Sequence, residues 1–276
     1  MLIKKAKSYG FCFGVKRAVE IAENSQNAVT LGPLIHNPLE IERLAKNYNV
    51  KYVNSIEEID NNIKRVIVRT HGIPKERLEK LKQKNIEVID ATCPFVKKPQ
   101  EIVEEMSREG YDIVIFGDKN HPEIQGVMSY AVHKRVFVVL TPQELKSIKL
   151  KDKIATVAQT TRKLTDYLKI TNFLIQNHKE VRIFNTICNA TFENQDAVRE
   201  LSREADIMII VGGKNSSNTK QLYNIANENA ESYLVENESE INPKWFKNKK
   251  ICGISAGAST PEWLVEKIIS KIKDEL

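Results

Sequence analysis

The feature that most constrains this sequence is an internal repeat. Shifting the chain by 95 residues places residues 105–120 (EMSREGYDIVIFGDKN) on residues 200–215 (ELSREADIMIIVGGKN) without a gap. Eight of these sixteen aligned positions are identical, and the same shift places Cys93 on Cys188. A match of this kind indicates a structural unit that the fold uses more than once.

A second, weaker match relates the first part of the chain to the middle part. A shift of 81 residues places Cys12 on Cys93 and aligns Glu20 with Glu101. Chance similarity between charged helices is a real alternative for this shift alone, but the match again begins at a cysteine. The two shifts together predict three modules, each opened by a cysteine, with the boundaries 1–84, 85–179 and 180–276.

Each repeat predicts the same order of secondary structure. A strand leads into the cysteine, a helix with apolar residues at helical spacing follows, and two further strands end in polar loops. The predicted strands cover residues 2–6, 28–31, 66–69, 86–89, 112–116, 155–158, 181–184, 207–211 and 251–254. Alternating strands and helices indicate parallel sheets. The predicted fold class is therefore α/β, with three modules of mostly parallel sheets around a pseudo-threefold axis.

Polar residues follow the predicted strands at equivalent places. The glycine after the second strand of each repeat is followed four residues later by His36, His121 or Ser216. The third strands lead into loops that contain His71, Thr160 or Ser259. Ligands of open α/β sheets bind beyond the carboxyl ends of the strands, so we expect these loops to form a ligand site. A single histidine is more often structural, and only the equivalent placement favours a function.

Ser216, Ser217 and Asn218 follow a glycine turn at a predicted helix start. Free N–H groups at a helix N-terminus favour phosphate, although the same pattern is also an ordinary helix cap. Glu123 comes two residues after His121 and is a candidate proton donor in the same cavity. Its alternative role is a first-turn carboxylate interacting with the helix dipole.

The cysteines point to metal binding. The sequence begins without the apolar segment of a secretory signal, so we expect a cytoplasmic protein in a reducing compartment, where disulfides are rare. If Cys12, Cys93 and Cys188 converge, three thiolates would bind three irons of a four-iron cluster and leave the fourth iron open. Buried, inert thiols are the alternative. Cys252 lies in an apolar strand without a counterpart in the other repeats, and we predict that it is core.

The composition of the chain limits the kinds of molecule that it is expected to bind. The net charge of +6 is spread along the chain, which suits an anionic small substrate and an acidic protein electron donor. No apolar stretch approaches the length of a membrane span. A nucleic-acid-binding protein with a structural metal is the alternative from another class, but an aromatic fraction of 7% offers no base-stacking platform. We therefore expect no nucleic acid, no membrane and a monomer.

A series of ordered motifs resembles the 4-hydroxy-3-methylbut-2-enyl diphosphate reductase family. The likeness runs from Ser8 to about Pro261 and rests on the segments GFCFGVKRA at 10–18, GPLIHN at 32–37, RTHG at 69–72, DATCP at 90–94, HPE at 121–123, QTT at 159–161, TIC at 186–188 and GGKNSSNT at 212–219. One departure is Asn194, where the family pattern has arginine, and it puts a peripheral contact in doubt.

The resemblance implies the last step of the methylerythritol phosphate route to isoprenoids. Two electrons and two protons break the C4–O bond of the substrate and yield isopentenyl or dimethylallyl diphosphate. It also implies a central [4Fe–4S] cluster with three cysteine ligands and one open iron, and ferredoxin or flavodoxin as the electron donor. By the same likeness Glu123 directs protons with Thr160 and His121, and the diphosphate is bound by His36, His71, His121, Thr160, Ser216, Ser217, Asn218 and Ser259. Another three-module cluster enzyme, such as a quinolinate-synthase-like dehydratase, is the nearest enzymatic alternative, although the histidine and serine loops favour a diphosphate.

Overall fold

A computed structural model describes residues 1–60 and 62–275, apart from the side chain of Ser217. The strands of this part of the chain are β1 (Leu2–Lys5), β2 (Val29–Leu31), β3 (Lys51–Val53), β4 (Arg65–Val68), β5 (Glu87–Asp90), β6 (Asp112–Phe116), β7 (Val136–Val139), β8 (Lys153–Ala158), β9 (Glu180–Ile183), β10 (Ile207–Val211), β11 (Glu231–Val235) and β12 (Ile251–Ala256). The α-helices are α1 (Phe13–Asn24), α2 (Pro38–Tyr48), α3 (Lys75–Lys82), α4 (Pro94–Arg108), α5 (Pro122–Met128), α6 (Pro142–Leu145), α7 (Leu164–Asn177), α8 (Asn189–Ser202), α9 (Ser217–Asn227) and α10 (Glu262–Asp274). Two short 3-10 helices, Glu238–Glu240 and Pro243–Phe246, lie between β11 and β12.

The strands form three four-stranded sheets with one common order. The orders are β1-β12-β10-β11, β5-β4-β2-β3 and β9-β8-β6-β7. Every strand pair among the described residues is parallel. The predicted fold class of three parallel α/β modules is confirmed.

The strand before Cys93 and the strand before Cys188 each pair with a strand of the preceding sequence repeat. β5 leads to Cys93 and pairs with β4, and β9 leads to Cys188 and pairs with β8. β1 leads to Cys12 and pairs with β12, close to the other end of the chain. The boundaries 1–84, 85–179 and 180–276 stay a prediction from the repeats.

The sequence did not predict β3, β7 and β11. Each is the last strand on one edge of its sheet and pairs on one side only, with β2, β6 or β10. The other edge strands, β1, β5 and β9, were predicted from their place before the cysteines of the repeat, a guide that β3, β7 and β11 lack. The prediction therefore missed one strand in each sheet.

The chain divides into two compact units. The first unit comprises Met1–Glu20, Ile35–Asn49 and Asn189–Leu276, and it contains the sheet with β10 and β12. The second unit comprises Ile21–Leu34 and Val50–Cys188, and it contains the other two sheets. No helix among residues 1–60 and 62–275 is both long and apolar enough to cross a membrane.

Strand β10 shows how the core holds the loops of the first unit. Ile207, Ile209 and Val211 pack in a cluster with residues of β12 and α10. Met208 and Ile210 pack in a second cluster with residues of α8 and α9. Successive side chains of a strand point to opposite faces, so a strand covered on both faces needs an unbroken apolar run. This packing fixes the carboxyl end of β10, where the loop with Ser216 begins.

Candidate active site

The three candidate cluster ligands, called here the cluster cysteines, occupy equivalent positions in the three sheets. Each one follows an edge strand, and a helix begins at the next residue. The backbone N–H of each donates to a carbonyl in the loop after the neighbouring strand. The pairs are Cys12 with Ala258 at 3.1 Å, Cys93 with Thr70 at 3.0 Å and Cys188 with Thr160 at 2.8 Å. The structure therefore repeats the cysteine environment three times, as the sequence shifts predict.

Exposure separates the cluster cysteines from the fourth cysteine. The cluster cysteines are half-buried, whereas Cys252 is 0% exposed inside β12. Burial raises the pKa of the Cys252 thiol to about 12, so its thiolate is strongly disfavoured. Cys252 is a core residue, as predicted.

The glycine loops are also equivalent. The N–H groups of Gly32, Gly117 and Gly212 donate to the last residue of β3, β7 and β11, at 2.7, 3.0 and 2.9 Å. His121 and Ser216 are then the N-cap residues of α5 and α9. In the first repeat the cap is shifted by one residue: Asn37 caps α2, and His36 precedes the cap.

In the second unit, a continuous series of contacts joins two cysteines through four candidate residues. Thr70, whose carbonyl accepts from Cys93, places its hydroxyl 3.3 Å from the Nδ1 atom of His71. The rings of His71 and His121 meet edge to face, with centroids 5.8 Å apart. His121 Nδ1 accepts from the Glu123 N–H at 3.2 Å, so the proton of a neutral ring lies on Nε2.

The series continues from Glu123 to Cys188. The N–H and the hydroxyl of Thr160 donate to the two carboxylate oxygens of Glu123, each at 2.7 Å. The Thr160 carbonyl in turn accepts from the N–H of Cys188. The structure thus brings together His71, His121, Glu123 and Thr160, which the sequence selected from three separate loops.

Glu123 lies in an environment suited to an acid. Its side chain is 1% exposed, and burial raises its pKa above the ordinary range of a glutamate. The two bonds from Thr160 and the charge of Arg162 act in the opposite direction but do not reverse the shift. A carboxyl group with a raised pKa is protonated at higher pH and can donate that proton to a reacting group.

In the first unit, Cys12 and His36 both contact the loop after β12, which contains Ser259. The Cys12 N–H donates to Ala258, and the hydroxyl of the next residue, Ser259, donates to the carbonyl of His36 at 3.2 Å. Thr260 then donates to the carbonyl of Val211 at 3.2 Å, which joins this loop to the end of β10. The two ligand loops of the first unit are therefore held together.

The loop after β10 contains an unsatisfied side chain. Ser216 accepts from the Thr219 N–H at 3.3 Å and caps α9. Both polar atoms of the Asn218 carboxamide are buried without a hydrogen-bond partner among the described side chains and backbone. Buried polar groups are normally paired, so these atoms fit a polar ligand at the helix N-terminus. The side chain of Ser217, also predicted to bind the diphosphate, lies outside the described part of the chain.

Two glycines allow this loop to approach its neighbour. A Cβ atom at Gly212, whose φ is +144°, would lie 2.8 Å from Thr260 Oγ1 and 2.9 Å from Thr219 Oγ1. A Cβ at Gly257 would collide with Thr219 Oγ1. Glycine is required at both positions because the Thr219 side chain occupies the space between the two loops.

Some contributors were missed from the sequence. Thr70 binds Cys93 through its carbonyl and the Leu34 carbonyl through its hydroxyl, at 3.1 Å. The charge of Arg162 lowers the pKa of Glu123, and its Nε atom is buried without a partner in the described part of the chain. Thr70 lies inside the RTHG motif and Arg162 follows the QTT motif, so these motifs were the signal available.

Asn194, the departure from the family pattern, has a defined contact. Its Oδ1 accepts from the hydroxyl of Ser8 at 2.5 Å, and its side chain is 4% exposed. Ser8 belongs to the segment between β1 and Cys12. In this chain, Asn194 therefore supports the approach to the first cluster cysteine.

The three thiols fit an iron–sulfur cluster in their chemistry, because cysteine thiolates hold the irons of such clusters. Within the described residues, no group of three or more His, Cys, Asp or Glu side chains surrounds a common point as ligands of one ion would. Thiolates that hold a four-iron cluster each bind a different iron, so they do not share such a point. Half-buried thiols at three equivalent helix starts are suited to that mode of binding.

The chain is similar to known proteins over nearly its whole length. The model of the LytB protein family matches residues 3–273. The 4-hydroxy-3-methylbut-2-enyl diphosphate reductase of Nautilia profundicola is 81% identical over 274 residues, which cover 99% of either chain.

Two solved structures are also similar over nearly the whole chain. One is an (E)-4-hydroxy-3-methyl-but-2-enyl diphosphate reductase described as the terminal enzyme of the non-mevalonate pathway. It has a TM-score of 0.81 and 43% identity, and the match covers 99% of this chain and 100% of that one. The other is the E-1-hydroxy-2-methyl-but-2-enyl-4-diphosphate reductase of Plasmodium falciparum. It has a TM-score of 0.84 and 27% identity, over 98% of this chain and 87% of that one.

Proposed function

The chain belongs to the LytB protein family, and we propose that it acts as a 4-hydroxy-3-methylbut-2-enyl diphosphate reductase through the residues described above. Relatives that match across the whole chain carry this name, so the protein is an oxidoreductase of the non-mevalonate isoprenoid pathway. One observation supports the residue assignment most directly: in each of the three repeats, the cysteine N–H donates a hydrogen bond to a carbonyl in the loop after the neighbouring strand.

Membership of the family implies an iron–sulfur cofactor. Our proposal is one [4Fe–4S] cluster held by Cys12, Cys93 and Cys188, with a fourth iron that has no protein ligand. Such a cluster supplies electrons and an open position for the substrate hydroxyl group. The three equivalent cysteine environments support this assignment, since each repeat contributes one thiol next to a helix N-terminus.

The diphosphate is assigned to the polar loops. In the first unit, Ser216 and Asn218 lie at the N-terminus of α9, and His36 and Ser259 lie in segments that are hydrogen-bonded to each other. In the second unit, His71 and His121 contribute imidazole rings that meet edge to face. Ser217 and Thr160 complete the predicted set. The unpaired carboxamide of Asn218 supports this assignment, because a diphosphate oxygen accepts from its N–H groups.

Glu123 is assigned as the proton donor. Breaking the C4–O bond takes up two electrons and two protons and releases the oxygen as water, and hydroxide is a poor leaving group unless it is protonated. We assign the proton to the buried carboxyl of Glu123, because burial raises its pKa, and the Thr160 hydroxyl at 2.7 Å can pass it on. His121 lies beside Glu123 and orients the same region.

We also propose an electron donor, a compartment and an oligomeric state for the protein. Ferredoxin or flavodoxin would supply the electrons, because an acidic donor complements a chain of net charge +6. We place the protein in the cytoplasm as a monomer that binds no nucleic acid.

The decisive experiment combines spectroscopy with cysteine variants. Protein purified without oxygen is expected to show a cluster absorption and an EPR signal that changes when the substrate is added. Serine at any one of the cluster cysteines should abolish stable cluster assembly, whereas Cys252→Ser should retain the iron content of the parent. Equal iron in all four variants would overturn the ligand assignment. A parent protein that forms neither isopentenyl nor dimethylallyl diphosphate would overturn the function.

A further inference from the structure

Glu40 is a buried carboxylate that the proposed reaction does not use. It lies in the first turn of α2 and is 0% exposed. Arg43 donates to both of its oxygens, with an Nε–Oε2 distance of 2.9 Å and an Nη2–Oε1 distance of 2.6 Å. The indole N–H of Trp263 donates to Oε2 at 2.7 Å. A buried charge needs such partners, so these bonds hold the carboxylate in one position.

The bond to Trp263 is one of two that join the same pair of segments. His36 lies four residues before Glu40, and Ser259 lies four residues before Trp263. The Ser259 hydroxyl donates to the His36 carbonyl at 3.2 Å. This bond and the bond from Trp263 to Glu40 are therefore separated by four residues on each segment. Asn37 adds a third constraint, because its side chain accepts from the Glu40 N–H at 3.1 Å and fixes the start of α2.

We propose that the Glu40–Trp263 hydrogen bond is a positioning contact that sets the spacing of His36 and Ser259 before the diphosphate binds. The inference rests on the proposed function, which assigns these two residues to the diphosphate. Ligating groups that are already in place lose less conformational freedom on binding than groups that must first be ordered. Trp263 is therefore a positioning residue that acts on affinity and not on the chemical step.

The position of Trp263 separates this role from simple core packing. Its side chain is 39% exposed at the start of α10, so its ring removes less apolar surface from water than a core tryptophan does. The polar contact of Trp263 is specific, since its indole N–H donates to the carboxylate of Glu40, which is itself inaccessible to solvent. Loss of the N–H should thus move ligand affinity more than it moves stability.

Trp263→Phe retains an aromatic ring and removes the N–H. The variant and the parent, both carrying the cluster and kept without oxygen, are titrated calorimetrically with inorganic pyrophosphate and assayed with substrate. We expect the Kd for pyrophosphate and the KM to rise about tenfold in the variant, with kcat and iron content within about twofold of the parent. A structural role would instead lower the melting temperature and the iron content without this separation of KM from kcat.

Trp245→Phe is the matched control. Trp245 stacks on Tyr233 with ring centroids 3.8 Å apart and is the other tryptophan of the chain. Its replacement should leave the pyrophosphate Kd unchanged. Parent-like affinity in Trp263→Phe, or an equal loss of affinity in both variants, would overturn the proposal.

Variants at Glu40 keep the proposal testable if Trp263→Phe folds poorly. Glu40→Gln retains an oxygen that can accept from the indole and should bind pyrophosphate within about threefold of the parent, whereas Glu40→Ala removes the acceptor and should bind about tenfold more weakly. Equal affinity in Glu40→Ala and the parent overturns the inference. An active parent with that result contradicts the positioning role alone, whereas a parent without turnover contradicts the proposed function.

Discussion

Replacing Glu123 by glutamine removes the proton assigned to this residue while retaining the shape of its side chain. A positioned general acid typically contributes about 10²–10⁴-fold to a rate. At about 1.36 kcal/mol for each factor of ten, this corresponds to about 2.7–5.4 kcal/mol of lost transition-state stabilisation. We therefore expect kcat of Glu123→Gln to fall by two to four orders of magnitude, on the scale given for general acids.

The hydrogen bonds around Glu123 allow glutamine to replace it without loss of the contact with Thr160. In the parent, the Thr160 N–H and hydroxyl each donate to one carboxylate oxygen at 2.7 Å. Glutamine can still accept from the N–H through its carbonyl oxygen, and its amide can donate to the hydroxyl oxygen once the hydroxyl rotates. The contact with Thr160 is therefore kept, and the loss of turnover reports the missing proton.

The same variant has a defined pH dependence. Burial raises the pKa of Glu123 in the folded protein, so ionisation of this group favours the unfolded chain. The free energy of unfolding of the parent therefore decreases as pH rises from about 4.3, the ordinary pKa of a glutamate, through the raised pKa. Glu123→Gln lacks this loss, and its stability relative to the parent should increase over that window. Turnover of the parent should fall as pH passes the raised pKa, because the acid loses its proton, and this fall should be absent from the residual activity of the variant.

The assay uses reduced methyl viologen as the electron donor under anaerobic conditions, with the isoprenoid products measured by chromatography. Glu144→Gln is the matched control, since Glu144 also accepts from a threonine hydroxyl and a backbone N–H, at 3.0 and 3.3 Å, but is exposed. It should keep parental turnover. Near-parental turnover in Glu123→Gln would refute the reasoning, and so would loss of its cluster absorption, which would show a structural role.

Two further substitutions test the loops of the first unit. Ser216→Ala removes a helix cap and a candidate diphosphate donor, so pyrophosphate binding should weaken by about 0.5–3 kcal/mol with unchanged iron content, and parental affinity in a calorimetric titration would leave Ser216 as a cap alone. Gly257→Ala places a Cβ against Thr219 Oγ1 and should destabilise the protein by about 1–3 kcal/mol, seen as a lower melting temperature. Adding Thr219→Ala should restore part of this loss, and strictly additive effects would contradict the predicted collision.

Much of the candidate site could be predicted because it repeats. The equivalence of Cys93 and Cys188 followed from one gapless shift, and the structure gives both the same hydrogen bond to a neighbouring loop. The edge strands β3, β7 and β11 were missed because they precede no cysteine of the repeat, whereas the edge strands β1, β5 and β9 do. The contact between Glu40 and Trp263 was missed because the two residues are 223 positions apart and match no local motif.

The sequence by itself determined the parallel α/β modules, the polar loops after the strands and the difference between the cluster cysteines and Cys252. These features are local, since strand periodicity, glycine turns and helix starts depend on neighbouring residues. Only the tertiary structure decided that β5 pairs with β4, that the Thr160 carbonyl receives the Cys188 N–H, and that burial raises the pKa of Glu123. Pairing partners and desolvation depend on residues far apart in the chain, and no local pattern specifies which of them meet.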